Sequence, residues 1–478
     1  MVITSATATA TAGRTATELD PLTIEELQSR VRGDVLHPGK EGYESARKIW
    51  NGAVDRRPAA IARCRGVSDI LTAVRFARER DLLIAVRGGG HGVAGTAVCD
   101  GGLVVDCTPM RGIRVDPLGR TARAEPGVLW GELDGETQAF GLATTAGIVT
   151  HTGIAGLTLG GGIGWLMRKH GLTCDNLLSA DVVSAEGRFL RASADENPDL
   201  FWALRGGGGN FGVVTSFEYC LHPVGPTVLA GPLYFAMDDA GAVLRFYRDF
   251  VADAPDELTT IVNLRKAPAV PFLPAQLHGR PVVAVLVCFA GQLEQGERLL
   301  HPFRRFGRPL LDLIAPKPYL RHQSMFDPTV PHGWHYYWKS LELPPLTDAV
   351  IDRIVEHSMR ITSPLSYTLI FQLGGAVARI GEAATAYAHR HAAHSVNINA
   401  VWQPGDPSAA AHARWAQQFF AALEPDQVGV YVNFLGDEGD ERVRAAYGAA
   451  KYRRLAELKR RYDPTNFFRL NQNIKPAE

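Results

Sequence analysis

The sequence predicts an α+β protein of two domains, and three observations carry that prediction. The chain has 478 residues, more than one hydrophobic core serves, since domains cluster at about 100–200 residues. From about residue 40 to 220, short β-branched runs alternate with amphipathic helical segments and glycine turns, the texture of a layered α/β or α+β unit. Beyond Pro223 and Pro226 the texture changes to long alternating strands with helices between them, which reads as a large, mostly antiparallel sheet covered by helices on one face.

Residues 1–17 are rich in Ala and Thr and lack the basic start and apolar run of a secretory signal, so a disordered tail is expected there. Segments 60–64 and 83–86 read as strands flanking a helix over 67–81, in which Ile70, Leu71, Val74 and Phe76 recur near helical spacing. Strands follow at 103–106 and 121–125, then a helix over 130–140. Glu186-Gly187 sits between two apolar runs, a hairpin signal over 181–190. In the second half, 282–289 and 367–373 are expected strands, and 241–251, 347–359 and 408–423 expected helices. From about 440 the chain reads as helical to Arg461; within 451–461, Leu455 and Leu458 mark the apolar side of a helix whose basic residues face solvent.

Lys plus Arg and Asp plus Glu both number 50, so the formal net charge is zero. No basic stripe is present to draw a nucleic acid. Hydrophobic residues make up 46% and charged residues 21%, ordinary for a folded soluble protein, and no apolar run is long enough to span a membrane. The six cysteines, at 64, 99, 107, 174, 220 and 288, have neither the CxxC spacing of a zinc site nor the density of a disulfide scaffold. No metal is expected, and reduced thiols point to the cytoplasm.

The chemistry begins at Arg87-Gly88-Gly89-Gly90-His91-Gly92, directly after an apolar run. Four glycines around one histidine let backbone approach a phosphate and hold the imidazole against whatever the loop binds. A second glycine-rich segment contains Gly153, Gly156, Gly160, Gly161, Gly162 and Gly164; Gly171 to Asn176 follows, then a third cluster from Arg205 to Val214. GxGxxG strings occur at 90–95 and 207–212, but strand-like residues follow each, which argues against a Rossmann unit. Near the end stands Tyr462-Asp463-Pro464-Thr465-Asn466-Phe467-Phe468-Arg469-Leu470-Asn471-Gln472-Asn473-Ile474.

In this order and at these separations the segments resemble the berberine-bridge-enzyme-like branch of the vanillyl-alcohol oxidase superfamily of flavoproteins, bacterial members above all. The likeness covers nearly the whole chain and is most specific in the loop 87–92 and the tail 462–474. It implies a PCMH-type FAD-binding domain at 18–225 that is discontinuous, completed by 436–478, and a substrate domain at 226–435. It implies FAD contacts from Arg87, Gly88, Gly89, Gly90, Gly92, Gly153, Gly156, Gly160, Gly161 and Gly164, from Asn176, Asn471 and Asn473, and from Val213 and Val214 at the adenine end. It further implies that His91 bonds covalently to the flavin 8α-methyl. An imidazole of pKa about 6.5 is neutral and nucleophilic near pH 7, and such a link raises the flavin's redox potential. Doubly linked members carry a cysteine where this chain has Val149, so one link is expected, with Cys174 filling core. Thr152 stands where members control oxygen access, and its volume, close to valine's, favours O2.

Removing a hydride from carbon goes with loss of a proton from the attached O–H or N–H, so a base or relay is needed. Tyr431, in Tyr431-Val432-Asn433-Phe434, matches the Tyr-x-Asn pattern from which similar oxidases supply a catalytic tyrosine. With an unperturbed pKa of about 10 it must be depressed by neighbours or act as a hydrogen-bond relay; a packed core tyrosine is the alternative. Thr368, Ile370 and Gln372 share one strand face, on a strand resembling the pocket floor of relatives. A bacterial member carries a carboxylate there, so Gln372 points to a neutral substrate. Trp334, His335, Tyr336, Tyr337 and Trp338 offer rings to stack on substrate, half of them facing inward, and Tyr337 is a further catalytic candidate. The expectation is an FAD oxidase taking a hydride from an alcohol or amine carbon of a small organic or sugar-like substrate, reoxidised by O2 to give H2O2. A dehydrogenase using a quinone, or a flavin-binding protein without turnover, is the alternative.

Overall fold

A computed structural model describes residues 19–478; the tail expected at 1–17 lies outside the described residues. Three principal sheets organise the chain. In the first, Leu103–Asp106 lies parallel between Ala60–Arg63 and Ile84–Arg87, and Val35–Leu36 adds antiparallel at one edge. The helix Val67–Glu79 makes the crossover and buries Ile70, Ala73, Val74, Phe76 and Ala77. It stops short of the expected 81 because Asp81 adopts φ +50°, which an α-helix of L-residues does not tolerate.

The second sheet is antiparallel, in the order Ile113–Asp116, Thr121–Ala124, Val213–Cys220, Leu177–Val183, Phe189–Ser193. The last two strands form the expected hairpin, with Gly187 in the left-handed region at its turn.

The third sheet has eight antiparallel strands, all between Thr227 and Trp402. At its centre lie Pro281–Phe289, Leu258–Lys266, Tyr367–Gln372 and His394–Trp402, followed by His335–Leu343. Helices Ala240–Ala252, Asp348–Met359 and Ala409–Leu423 cover one face, sealing Val262, Ile370, Val396 and Ile398 beneath Tyr247, Ile354 and Phe419. The opposite face packs toward the first half, against Trp50, Trp165 and Leu172. Both faces of these strands are therefore buried, and the site lies on the one without helices.

The helix Asp440–Tyr462 brings the chain back to the first half. Lys459 is fully buried on it, donating to Asp463 Oδ2 (2.7 Å), Asn210 O (2.7 Å) and Phe468 O (2.9 Å). The expectation that the basic residues of 451–461 all face solvent fails at Lys459, whose ammonium instead ties the tail to the third glycine cluster. Phe467 and Phe468 then join the core around Ile84 and Val105. No helix among the described residues is long and apolar enough to cross a membrane.

Candidate active site

A cavity lies between the glycine loops of the first half and the inner face of the eight-stranded sheet. Strand Ile84–Arg87 delivers loop 88–92 to its wall, and Gly153 caps the short helix Ile154–Leu159 beside it. Gly89 and Gly153 pack backbone on backbone: a Cβ on Gly89 would stand 2.5 Å from Gly153 Cα, and one on Gly153 2.4 Å from Gly89 N. Gly92, Gly156 and Gly209 differ, because a Cβ on any of them meets nothing within 4 Å and all three line the cavity. They form a cradle of bare backbone that side chains would fill.

His91 lies in the same wall. Its ring stacks on Trp50 (centroids 4.2 Å, 15° between planes), which stacks on Tyr336 (3.7 Å, 20°), and His151 stands 5.0 Å away with His332 beyond it. Trp50 is fixed by its Nε1 donating to Val330 O at 2.9 Å. Burial, and then the nearby His151 and His332, push the His91 pKa well below its ordinary value, so the imidazole is neutral at pH 7. Its Nε2 is buried without a protein partner among the described residues. A buried polar atom left unpaired is costly and marks a place for a bound group.

The sheet contributes three registered rows. Arg265, Tyr367, Asn399 and Trp338 lie side by side on four strands; Asn263, Leu369, Asn397 and Ser340 form the next row, and Ile261, Phe371, Ser395 and Glu342 the third. Tyr367, Leu369, Phe371, Asn397, Asn399 and Trp338 line the cavity. Asn397 Nδ2, Asn399 Oδ1 and Trp338 Nε1 are buried without protein partners among the described residues, donors and acceptors placed to meet a ligand's own. Among the described residues, no Asp, Glu, Lys or Arg lines this cavity.

A short pairing of Gly429 with Glu342 at the sheet edge leads the chain to Tyr431, which also lines the cavity. Tyr431 Oη accepts from Gly162 N (2.8 Å) and Asn433 Nδ2 (2.7 Å). Both donors favour phenolate, but burial outweighs them and raises the pKa well above its ordinary value. The depressed phenol considered from sequence is therefore absent. With both lone pairs engaged, the proton of Tyr431 is left to donate to a ligand.

Several expected contacts are corrected. Gln372 faces the helices: its Oε1 accepts from Thr260 Oγ1 (2.7 Å) and its Nε2 donates to Val251 O (3.3 Å). The face read as the pocket floor was thus the wrong one of the strand's two, and Gln372 carries no information about substrate charge. Tyr337 alternates to the same helix-covered side, where its Oη accepts from Gln417 Nε2 at 3.1 Å, while Tyr336 and Trp338 face inward. Arg87 braces the loop from behind, paired with Asp106 at 2.6 Å, and does not line the cavity. Asn176 spends its amide on His170 O, Leu172 O and the His222 ring. Val213 turns into the first sheet's core and leaves Val214 on the cavity wall; Asn471 lines it, Asn473 does not. Gly160, Gly161 and Gly164 serve packing, since a Cβ there would strike Asn433, Tyr387 or Ala146. Gly88, Gly89, Gly90, Gly92, Thr152, Gly153 and Gly156 do line the cavity, and Cys174 is buried in the core with Trp165 and Leu172.

Trp50, His151, His332, Asn397 and Asn399 were not singled out. The one signal for the last two is Ser395, Asn397 and Asn399 alternating with Val396, Ile398 and Ala400, polar side chains at period 2 in a strand buried on both faces.

The bare-backbone cradle, the unpaired His91 Nε2 and the Asn471 Oδ1 left without a partner fit a large polar cofactor such as FAD. This fold and site define an FAD-binding oxidoreductase. The family model described as an FAD binding domain matches residues 58–193, and the one described as berberine and berberine like matches 430–475. The chain is 33% identical to an FAD-linked oxidoreductase of Dictyostelium discoideum, over 95% of this chain and 97% of that protein. It is 32% identical to (R)-6-hydroxynicotine oxidase of Paenarthrobacter nicotinovorans, over 93% and 97%. The crystal structure of 6-hydroxy-D-nicotine oxidase from Arthrobacter nicotinovorans superposes with a TM-score of 0.84 at 32% identity, covering 94% of this chain and 98% of that one. The chain belongs to the berberine-bridge-enzyme-like family of FAD-linked oxidoreductases.

Proposed function

We propose that the protein is an oxidase of a small alcohol whose reacting end is uncharged, with FAD attached by one covalent bond through His91. The observation that carries this reading is the His91 imidazole, neutral, clamped against Trp50 and presenting a buried, unpaired Nε2. FAD, when bound, accepts a hydride from the substrate carbon and delivers the electron pair to O2, giving H2O2.

The chain's own residues do the rest. Gly88 to Gly92, Gly153, Gly156 and Gly209 hold the cofactor by backbone, with Asn471 and Val214 also on the wall. Val149 lines the cavity and has no thiol, which limits attachment to one link. Thr152, also on the wall, leaves room for O2. Tyr431 donates to the substrate oxygen and so orients the C–H bond, while the hydroxyl proton released as the carbon is oxidised ends with the electron pair in H2O2. A wall without carboxylates favours an alcohol over an ammonium ion, whose charge would be left unpaired. Segments 18–225 and 436–478 act as the FAD-binding unit, a reading supported by Lys459 and Phe468 packing into the first half, and 226–435 as the substrate unit.

The test is an anaerobic screen of alcohols, sugars, phenols and cyclic amines for flavin bleaching, followed by stopped-flow reoxidation in air. Rapid reoxidation after bleaching by an alcohol is expected; sluggish reoxidation sinks the oxidase reading.

A further inference from the structure

Arg265 is a buried cation with no counter-charge. It is 5% exposed, forms no salt bridge, and makes one hydrogen bond among the described residues, from Nε to Lys266 O at 3.1 Å. The fork of two Nη groups is unused. The ionisable groups acting on it are Tyr367 and Tyr234, themselves buried at 3% and 7% exposure, and neither phenol hydroxyl has a protein partner among the described residues. The guanidinium carbon stands 5.2 Å from the centre of the Tyr367 ring.

Register fixes where this group sits. Arg265 is the first member of the row in which Tyr367, Asn399 and Trp338 line the cavity. Strands are about 4.8 Å apart, so Arg265 lies about 10 Å from Asn399 along the same inner face. Its neighbour Asn263, in the adjoining row, has a buried Oδ1 without a partner. Buried charges in folded proteins are ordinarily paired, because an isolated one costs several kcal/mol even after relaxation. A guanidinium is charged at any accessible pH and offers a planar fork matched to a carboxylate.

We propose that Arg265, flanked by the hydroxyls of Tyr234 and Tyr367, is the anchor for a carboxylate on the substrate, set at the end remote from the carbon that is oxidised. This rests on the reading that the inner sheet face receives the substrate. The substrate is then a hydroxy-carboxylate: neutral at the reacting end, where no charged side chain lines the wall, and anionic one strand beyond it.

The test compares benzoate with its neutral isostere benzamide on the flavin-loaded protein, by thermal shift and by perturbation of the flavin absorbance, with sodium sulfate as the control for a nonspecific ion. Wild type should bind benzoate at least about tenfold more tightly than benzamide, the scale of one charge-assisted pairing, and Arg265→Gln should abolish that preference without weakening benzamide. Arg265→Met, free of ligand, should melt no lower than wild type, since it removes an uncompensated buried charge. Equal affinity of wild type for the two probes, no binding of benzoate, phenylacetate or naphthoate, stabilisation by sulfate equal to that by benzoate, or a preference that survives in Arg265→Gln overturns the proposal. The wild-type comparison decides even where a variant fails to fold. Carboxylate binding through Arg265 with a flavin that no alcohol reduces would leave this proposal standing and remove the oxidase reading; bleaching by alcohols with no carboxylate preference would do the reverse.

Discussion

Tyr431→Phe separates what the hydroxyl does for stability from what it does for the reaction. The ring, edge-on to Phe434 at 4.8 Å and to Tyr387 at 6.0 Å, keeps its packing. Asn433 Nδ2 retains a partner in Leu157 O at 3.0 Å, but Gly162 N–H loses its acceptor. One buried donor left unpaired costs about 1–3 kcal/mol, so thermal denaturation should shift down modestly. The reductive half-reaction should slow far more, by about 10²-fold, the scale of a reactant left without the hydrogen bond that positions it. Stopped-flow reduction by a confirmed substrate under argon measures this, and reoxidation by O2 in the same instrument should hardly change. A variant reduced within about threefold of the wild-type rate, well below that loss, would refute the positioning role and leave Tyr431 as the acceptor that holds Gly162.

Three further outcomes are expected. His91→Ala should release flavin into the supernatant on acid precipitation, whereas wild type retains it, and peptide mapping should find one flavinylated peptide, containing His91; a second modified peptide would contradict the assignment at Val149. Gly92→Val should fold like wild type but retain FAD at least about tenfold less well, an estimate at the scale of one lost favourable contact, because its side chain enters open cavity space. Gly164→Ala should instead damage folding, since its Cβ would stand 1.7 Å from Ala146 O; equal behaviour of the two, by circular dichroism and flavin retention, would undo the distinction between cradle and packing glycines. Burial raises the Glu342 pKa from 4.5 to about 8 and the Asp134 pKa from 3.8 to about 7. From about pH 5 up to the folded pKa of each group the unfolded chain holds the carboxylate ionised while the folded chain keeps its proton, so the contribution of these two groups is greatest at the acid end and falls as pH rises, by up to about 1.4 kcal/mol per unit and group, opposite in sign to that of buried histidines such as His91 whose pKa is lowered. Urea denaturation of wild type and Glu342→Gln at pH 5.5 and 8.5 isolates this part: the stability of wild type relative to the variant should fall as pH rises.

The loops were legible and the sheet face was not. Helix and strand positions in the first half follow from local periodicity, and the glycine loop at 88–92 was recognisable because close backbone approach admits no other residue at Gly89 and Gly153. The same logic misled at Gly160, Gly161 and Gly164, where glycine makes room for protein instead of ligand; composition does not separate the two. Arg87 and Asn176 sit beside the right loops, but their side chains are committed to Asp106 and to Leu172 O, choices made by tertiary neighbours. Trp50, His151 and His332 come together from three distant segments, and no local pattern announces them.

The error at Gln372 has a more general cause. Every residue of Tyr367–Gln372 and of His394–Trp402 is buried, so alternation between water and core, the usual guide to a strand's two sides, is missing. What remains is whether a polar side chain finds a partner inside the protein. Gln372 does, in Thr260 and Val251 across the helix-covered face, and that places it in the scaffold. Asn397 and Asn399 leave a donor and an acceptor unpaired, and Arg265 in the same row as Asn399 leaves its fork unpaired. Each such group weakens the folded chain unless a ligand completes it, and three of them gathered on one face, across from a glycine cradle, carry a cost to stability that binding would recover. Under the proposed reading, the unmet hydrogen bonds of the inner face are completed by the substrate: hydroxyl or carbonyl groups for the two asparagines, and a carboxylate for the arginine.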